Sequence, residues 1–288
     1  MMYADPCRRF MFGMTIANTT TRLWYFSRAR VLMSEPFNFI SDHRQLIHYV
    51  VSLSFGSTED LGYDSSITRV AVPLTDGPTR YRIQYDYAID GETYRTVECL
   101  SSFRASRIIS PATRVWTVRK LGDEKKQECA LKDFWIPLDS KMESEIQQDI
   151  FKRIEEKDPD AKKDPTLYKR YFMDIKACEV VTCTDKTEDV IADLLGPYRL
   201  YDVKRGHLSD RTQTRHSQRV YTGRKHVRVL FSEVGTPLDK VQNQKMLFTG
   251  LLHAYQGLRY LYLASYIHRD MSAGNILLCS GNRSKISD

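Results

Sequence analysis

Alternating apolar positions predict strands over residues 9–16 and 23–26, separated by the polar turn Asn18-Thr19-Thr20-Thr21, with a further extended piece at 29–33. Asp42 then caps a predicted helix whose apolar positions Leu46, Ile47, Val50, Val51 and Leu53 recur at helical spacing, and Gly56 ends it. Residues 81–87 and 93–100 alternate on either side of Asp90-Gly91, a pair suited to a two-residue hairpin turn. Strands are expected at 104–109 and 113–121, joined by Ser110-Pro111-Ala112, and again at 128–135.

Asp139 or Ser140 is expected to cap a helix over 141–157 that carries Ile146, Ile150, Phe151 and Ile154 on one face. Asp158-Pro159 and Asp164-Pro165 should break it, leaving a short helix at 168–177 and a strand at 179–184. A strand at 227–231 leads into Ser232-Glu233-Val234-Gly235-Thr236-Pro237-Leu238. A long helix then runs over 244–266, with Met246, Leu247, Leu251, Ala254, Tyr255, Leu258, Leu261 and Tyr262 as its expected inward stripe. The apolar run Ile276-Leu277-Leu278 reads as a strand, and after a turn at Gly281-Asn282 residues 285–288 read as its returning partner.

Composition bears on this picture in three ways. At 42% hydrophobic and 27% charged residues the chain is globular, not disordered, and its 288 residues suffice for two domains. No apolar run is long enough to span a bilayer and the first residues do not form a signal peptide, so no membrane association is expected. The six cysteines (7, 99, 129, 178, 183 and 279) contain no Cys-x-x-Cys pair, which argues against zinc and for reduced thiols in an intracellular compartment, cytoplasm or nucleus. The net charge of +7 is concentrated: residues 199–228 hold nine Lys or Arg against Asp202 and Asp210. Such a stretch can bind nucleic-acid phosphates. With only Tyr201 and Tyr221 as interleaved aromatics, a solvated loop is the favoured reading.

The candidate chemistry lies near the end of the chain. His268-Arg269-Asp270, four residues, then Asn275 and an apolar strand is the spacing of a protein-kinase catalytic loop. In that chemistry an Asp orients the proton of the attacking hydroxyl, while an Asn on the same loop holds a magnesium ion on the phosphates. Taken singly, His268 is as readily a core histidine, Arg269 a surface charge, and Asp270 or Asn275 a loop cap. The combination, placed between a long helix and an apolar strand, favours the catalytic reading. Upstream, Ala130-Leu131-Lys132 on a strand followed by a helix with an early Glu143 matches a lysine that reaches phosphates and its helix glutamate. Glu145 competes with Glu143 from another face, and both are also suited to the helix dipole. Ser232 to Leu238 has the composition of an inter-lobe linker.

These residues, with Arg22-Leu23-Trp24-Tyr25-Phe26-Ser27-Arg28, Ser34-Glu35-Pro36-Phe37, Leu61-Gly62-Tyr63-Asp64, Thr113-Arg114-Val115-Trp116, Leu131-Lys132-Asp133-Phe134-Trp135, Arg224-x-His226-x-Arg228 and Ser272 within the loop, resemble the fungal-type protein kinase-like family over most of the chain. The resemblance implies an α+β fold: a partial N-terminal α/β domain over 1–100, a kinase small lobe over 101–232, and a linker, long helix and catalytic loop over 233–288 that begin the large lobe. It implies ATP and Mg2+ as cofactors. By position it places Lys132, Glu143, Glu233, Thr113 and Val115 at the nucleotide, Asp270, Lys132, Arg269 and Ser272 in catalysis, and Asn275 and Asp288 on metal. It further implies transfer of the ATP γ-phosphate to a Ser or Thr hydroxyl of a protein substrate, with Arg269 favouring protein over small-molecule acceptors.

Three features depart from the family pattern. The turn at 110–112 has no glycine and contains Pro111, which has no N–H to offer a phosphate, so weak ATP binding is expected. The chain stops at Asp288 and starts inside the N-terminal domain, so both ends are expected to be cut, with inactivity and an exposed, aggregation-prone apolar face on the long helix. A kinase-like binding scaffold is the competing function, and a nucleic-acid binder using 199–228 a third.

Overall fold

The computed structural model describes residues 5–74, 80–102, 108–191, 223–279 and 283–286. The chain opens with β1 (Phe10–Ala17), β2 (Thr20–Ser27), β3 (Val31–Met33) and β4 (Phe37–Asn38), which form a four-stranded antiparallel sheet, followed by α1 (His43–Phe55). Then come β5 (Ile67–Pro73), β6 (Tyr81–Ile89), β7 (Glu92–Ser102), β8 (Arg114–Lys120) and β9 (Glu128–Pro137). Three helices follow: α2 (Glu143–Lys157), α3 (Pro159–Lys163) and α4 (Thr166–Lys169). The remaining elements are β10 (Ile175–Val180), β11 (Val190–Ile191), β12 (Arg224–Phe231), β13 (Thr236–Pro237), α5 (Gln244–Leu263), β14 (Ile276–Cys279) and β15 (Arg283–Ile286). The fold is mixed α+β, dominated by an eight-stranded antiparallel sheet in the order β10-β12-β9-β8-β7-β6-β5, with β11 also on β12.

Local chemistry accounts for much of this. Asp90 and Gly91 adopt φ of 50° and 73°, the left-handed pair that a right-twisted hairpin needs between β6 and β7. Arg95 then donates two 2.7 Å hydrogen bonds to the Asp86 carboxylate across that hairpin. Asp158 does break α2, but its carboxylate accepts the N–H groups of Asp160 and Ala161 and starts α3, with Pro159 in the first turn where no donor is needed.

Four expectations are corrected. α2 begins at Glu143, not after a cap at Asp139 or Ser140; Glu145 supplies the cap by accepting the Met142 N–H at 2.7 Å. The helix expected at 168–177 is only Thr166–Lys169, because Ile175 onward pairs with β12 in place of a strand at 179–184. The strand expected at 104–109 falls partly outside the described residues, and 108–110 are bends. The inward face of α5 is Gly250, Ala254, Gly257 and Leu261, while Leu251, Tyr255 and Tyr262 are exposed. The small residues win that face because β15 lies close against it: a Cβ on Gly257 would sit 2.3 Å from Ile286 Cδ1. α1 forms as expected, yet none of its residues is buried, and Ile47, Val50, Val51 and Phe55 face solvent.

The outer face of β9 and β12 carries a buried charge cluster beside the apolar core formed by Cys129, Leu131 and Leu230. Asp133 is buried and accepts from His226 Nε2 at 2.8 Å and Arg228 Nε at 3.2 Å. Arg228 is fully buried and donates onward to Asp64 Oδ2 at 2.6 Å and Ser66 Oγ at 2.7 Å, with its guanidinium over the Tyr87 ring. His226 Nδ1 meets Asp189 at 3.0 Å, and Asp189 in turn faces Arg9 at 3.1 Å. The His226 ring stacks on Trp135, 4.5 Å between centroids. Arg28 and Arg114, also buried, lie in the field of Asp133; burial and the repulsion of Arg114 pull Arg28 down to about 10. Thus Arg224, Lys225 and Arg228, counted above within a basic loop, belong to β12, and most of the rest of that basic stretch lies outside the described residues.

Burial opposes the charge on His226, but Asp133 and Asp189 outweigh it and raise its pKa from 6.5 to about 9. Its stabilising contribution is therefore complete below pH 6.5 and disappears as pH rises through about 9. Thermal melts at steps across that window should show falling stability, and His226→Gln should flatten the slope. Asp64→Ala, which leaves Arg228 buried without this partner, should cost about 3–5 kcal/mol in denaturant unfolding.

Candidate active site

Strand alternation gives β9 two faces. In register, Lys132 lies between Val115 of β8 and Val229 of β12, and shares its face with Ala130 and Phe134. Its amine is ion-paired with Glu143 at the start of α2, with Phe134 beneath it at 4.8 Å from the ring centroid. The two glutamates at the head of α2 have separate tasks: Glu143 meets the lysine, and Glu145 caps the helix. Gln147 Nε2 donates to the Met173 carbonyl at 2.8 Å and fixes α2 against the chain entering β10.

The same face packs against the strand that leaves the catalytic-type loop. Ala130, Phe134, Val227, Val229 and Phe231 form one buried cluster with Met173 and Cys279, and Leu277 packs on it. Since β14 starts one residue after Asn275, Lys132 and the loop border one seam.

The loop is held at both ends. At its start, Lys157 Nζ donates to the Leu263 carbonyl at 2.7 Å and to Ser265 Oγ at 2.9 Å, satisfying the C-terminus of α5 from α2. Tyr266 donates its hydroxyl to Asp149 at 2.6 Å. Arg269 takes a left-handed φ of 63°, and the Asp270 N–H turns back to the His268 carbonyl at 2.9 Å. Asn275 Nδ2 then donates to Asp270 O at 2.7 Å and to Asp270 Oδ2 at 3.2 Å, so the two side chains expected to act together are in contact. Arg269, Asp270 and Ser272 are exposed, Asn275 and His268 half-buried. Leu238 N–H binds the Ala273 carbonyl at 2.9 Å and β13 pairs with β14, joining the linker to the loop.

The other expected site residues stand differently. Glu233 is ion-paired with Lys285 of β15, a buried lysine that sequence reasoning missed. Gly235 allows the linker to press on Leu277, where a Cβ would come within 2.6 Å of Leu277 Cβ. Thr113 precedes β8 in a turn where Ala112 has φ 50° and the Pro111 carbonyl accepts the Trp135 N–H at 2.8 Å. Asp288 lies outside the described residues. Among the described residues no three His, Cys, Asp or Glu side chains cluster as metal ligands.

A strand lysine paired to a helix glutamate lies on the same seam as an Asp–Asn loop, an arrangement of the protein-kinase kind. The family profile described as fungal protein kinase matches residues 1–287. This chain belongs to that family. Among solved structures, the fungal protein kinase chain is similar to the ROP18 kinase domain in complex with AMP-PNP and sucrose, at 13% identity and a TM-score of 0.34, over 86% of this chain and 60% of that one. It thus spans less than two thirds of that chain's length. A search of curated proteins finds no match. No helix among the described residues is long and apolar enough to cross a membrane, and all six cysteines are unpaired.

The division of labour between the two glutamates is testable. Glu145→Gln should lower unfolding stability by about 1 kcal/mol or less and leave Lys132 shielded. Glu143→Gln should instead raise the reactivity of the Lys132 amine toward an acylating reagent, read by peptide mass spectrometry.

Proposed function

We propose that this fungal protein kinase chain carries the nucleotide-facing part of a phosphotransferase moving the ATP γ-phosphate to a Ser or Thr hydroxyl of a protein. The Lys132–Glu143 ion pair, formed on the strand face that also packs toward the loop, carries this reading. Lys132 would neutralise phosphate charge and Glu143 would fix its direction. Asp270 would accept or orient the hydroxyl proton of the acceptor, and Asn275, whose amide nitrogen is engaged by Asp270, would offer Oδ1 to a magnesium ion. Asp288 would complete the metal site. The donor set fits magnesium, a hard cation that takes oxygen ligands, and ATP with Mg2+ would supply the activated phosphoryl group. Small Ala130, with Val115 and Leu277 nearby in the sheet and seam, suits a flat apolar ring.

A second reading, a kinase-like scaffold with little nucleotide affinity, is favoured by one observation. The turn at 110–112 has no glycine, and its Pro111 carbonyl is tied to Trp135. Nucleic-acid binding draws no support from Arg228, which faces inward.

The experiment compares the unmodified chain with Lys132→Ala and Asp270→Ala. MgATP at ten times its Kd should add about 1.4 kcal/mol to unfolding stability. That gain should be lost in Lys132→Ala and kept in Asp270→Ala. Any transfer of labelled γ-phosphate to a generic protein, read as phosphoserine or phosphothreonine, should be lost in both variants, and robust transfer by the unmodified chain would overturn the inactivity expected from the sequence. Millimolar MgATP with no effect on the melt of the unmodified chain would sink the nucleotide reading in favour of the scaffold.

A further inference from the structure

The buried charge cluster and the Lys132 site are opposite faces of the same two residues' worth of strand. Asp133 follows Lys132 directly, and its carboxylate is held from β12 by His226 and Arg228. Arg228 is in turn held from the N-terminal segment by Asp64 and Ser66, residues more than 160 positions away in the chain. Asp64 is fixed as well: its N–H binds the Cys7 carbonyl at 2.8 Å and its carboxylate accepts from the Ser66 N–H at 2.9 Å. The path Asp64–Arg228–Asp133 therefore ends one peptide unit from the lysine, with every link buried.

We propose that Asp64, through Arg228 and Asp133, is a positioning residue that sets β9 so that the Lys132 amine meets Glu143. The importance of that geometry rests on the phosphate role given to Lys132 above. The lysine stem is flexible, so α2 and β9 must be held at the right separation for the pair to persist. On the inner face side-chain packing around Ala130 and Phe134 does this, while the ladders with β8 and β12 hold β9 laterally. On the outer face the charge cluster prevents β9 from sliding or twisting, because any displacement would part buried, charged hydrogen-bond partners. Asp64 lies on neither strand and touches no group of the cleft, so residues 5–67 would act on the site from behind the sheet.

The test reads Lys132 itself. The full chain and its variants are treated with trinitrobenzenesulfonate well below their melting temperatures, and labelling of Lys132 is measured by peptide mass spectrometry relative to Lys163, which is 80% exposed and remote from the cluster. Asp64→Asn should raise Lys132 labelling about tenfold, corresponding to about 1.4 kcal/mol of lost pairing. Ser66→Ala, which keeps the Asp64–Arg228 ion pair, should give a smaller rise in a chain that still folds, and Asp64→Glu should restore most of the protection. Leu261→Ala, a truncation in the helical core, serves as the control for general destabilisation. Lys132 labelling in Asp64→Asn and Ser66→Ala no greater than in this control overturns the proposal. The outcome does not depend on nucleotide: failure of MgATP to protect Lys132 in the unmodified chain would remove the phosphate assignment while leaving the positioning measurement intact.

Discussion

Six ionisable side chains from five parts of the sequence are gathered behind β9 and β12, all buried except the half-buried Arg9: Arg9, Asp64, Asp133, Asp189, His226 and Arg228. Each would be costly to bury alone, and the arrangement is tolerable only because every carboxylate meets a cation at hydrogen-bond distance. With His226 protonated the three carboxylates face three cations, and the two aspartates on either side of its ring are what keep the proton there. Burial favours the neutral carboxyl at Asp133, yet His226 and the nearby arginines hold its pKa below the usual range. Arg28 and Arg114 bring further positive charge to the same aspartate; burial, then the repulsion of Arg114, lowers the affinity of Arg28 for its proton against the pull of Asp133. A set this interdependent permits one register between the strands and one placement of the N-terminal segment.

A second constraint runs along the linker. Glu233 is engaged by Lys285, Ser232 accepts from Gln127 at 3.1 Å, and Gly235 lies against Leu277. The linker is thereby tied at once to the strand that follows the loop and to its return strand β15. β15 in turn lies against the glycine face of α5, and the Ile286 N–H binds the Tyr171 carbonyl at 3.0 Å. The residues expected to act on phosphate thus sit on a loop whose neighbours on both sides are regular, cross-braced elements, the condition for holding side chains to a productive geometry.

What the sequence made legible follows from how local each signal is. The hairpin about Asp90-Gly91, the alternation of β8 and β9, the period of α2 and the spacing from His268 to Asn275 depend on neighbours within a few residues, and the structure has them. The choice between Glu143 and Glu145 needed the tertiary contact with Lys132. The inward face of α5 holds the expected Ala254 and Leu261, with Leu247 and Leu258 packed beside them, but Leu251, Tyr255 and Tyr262 stay outside because close approach of β15 selects Gly257. Landmarks such as Leu61-Gly62-Tyr63-Asp64, Leu131 to Trp135 and Arg224-x-His226-x-Arg228 were visible as strings with no common purpose. Their partners are up to 164 positions apart, and no periodicity encodes such a pairing.

Those strings turn out to be parts of one contact, and this bears on how the chain is divided. A boundary near residue 100 falls within β7, whose last residue, Ser102, is paired with Arg114 of β8, so the sheet runs on without a break. The charge cluster crosses the same point from Asp64 to Arg228. If the segment carrying Asp64 were to detach, Arg228 would lose its shortest partner while remaining under the sheet, and Asp133 and Asp189 would be left to balance Arg228 and His226. The energetic penalty of that exposure opposes separate opening of the two regions. By contrast, α1 has no buried residue and α5 turns Phe248, Leu252 and Tyr262 outward, so neither of those apolar faces resists movement in this way. Cooperativity across this point therefore rests on charges that cannot be separated inside the fold, together with the apolar core that joins Cys7 and Ile67 to Leu131 and Leu230.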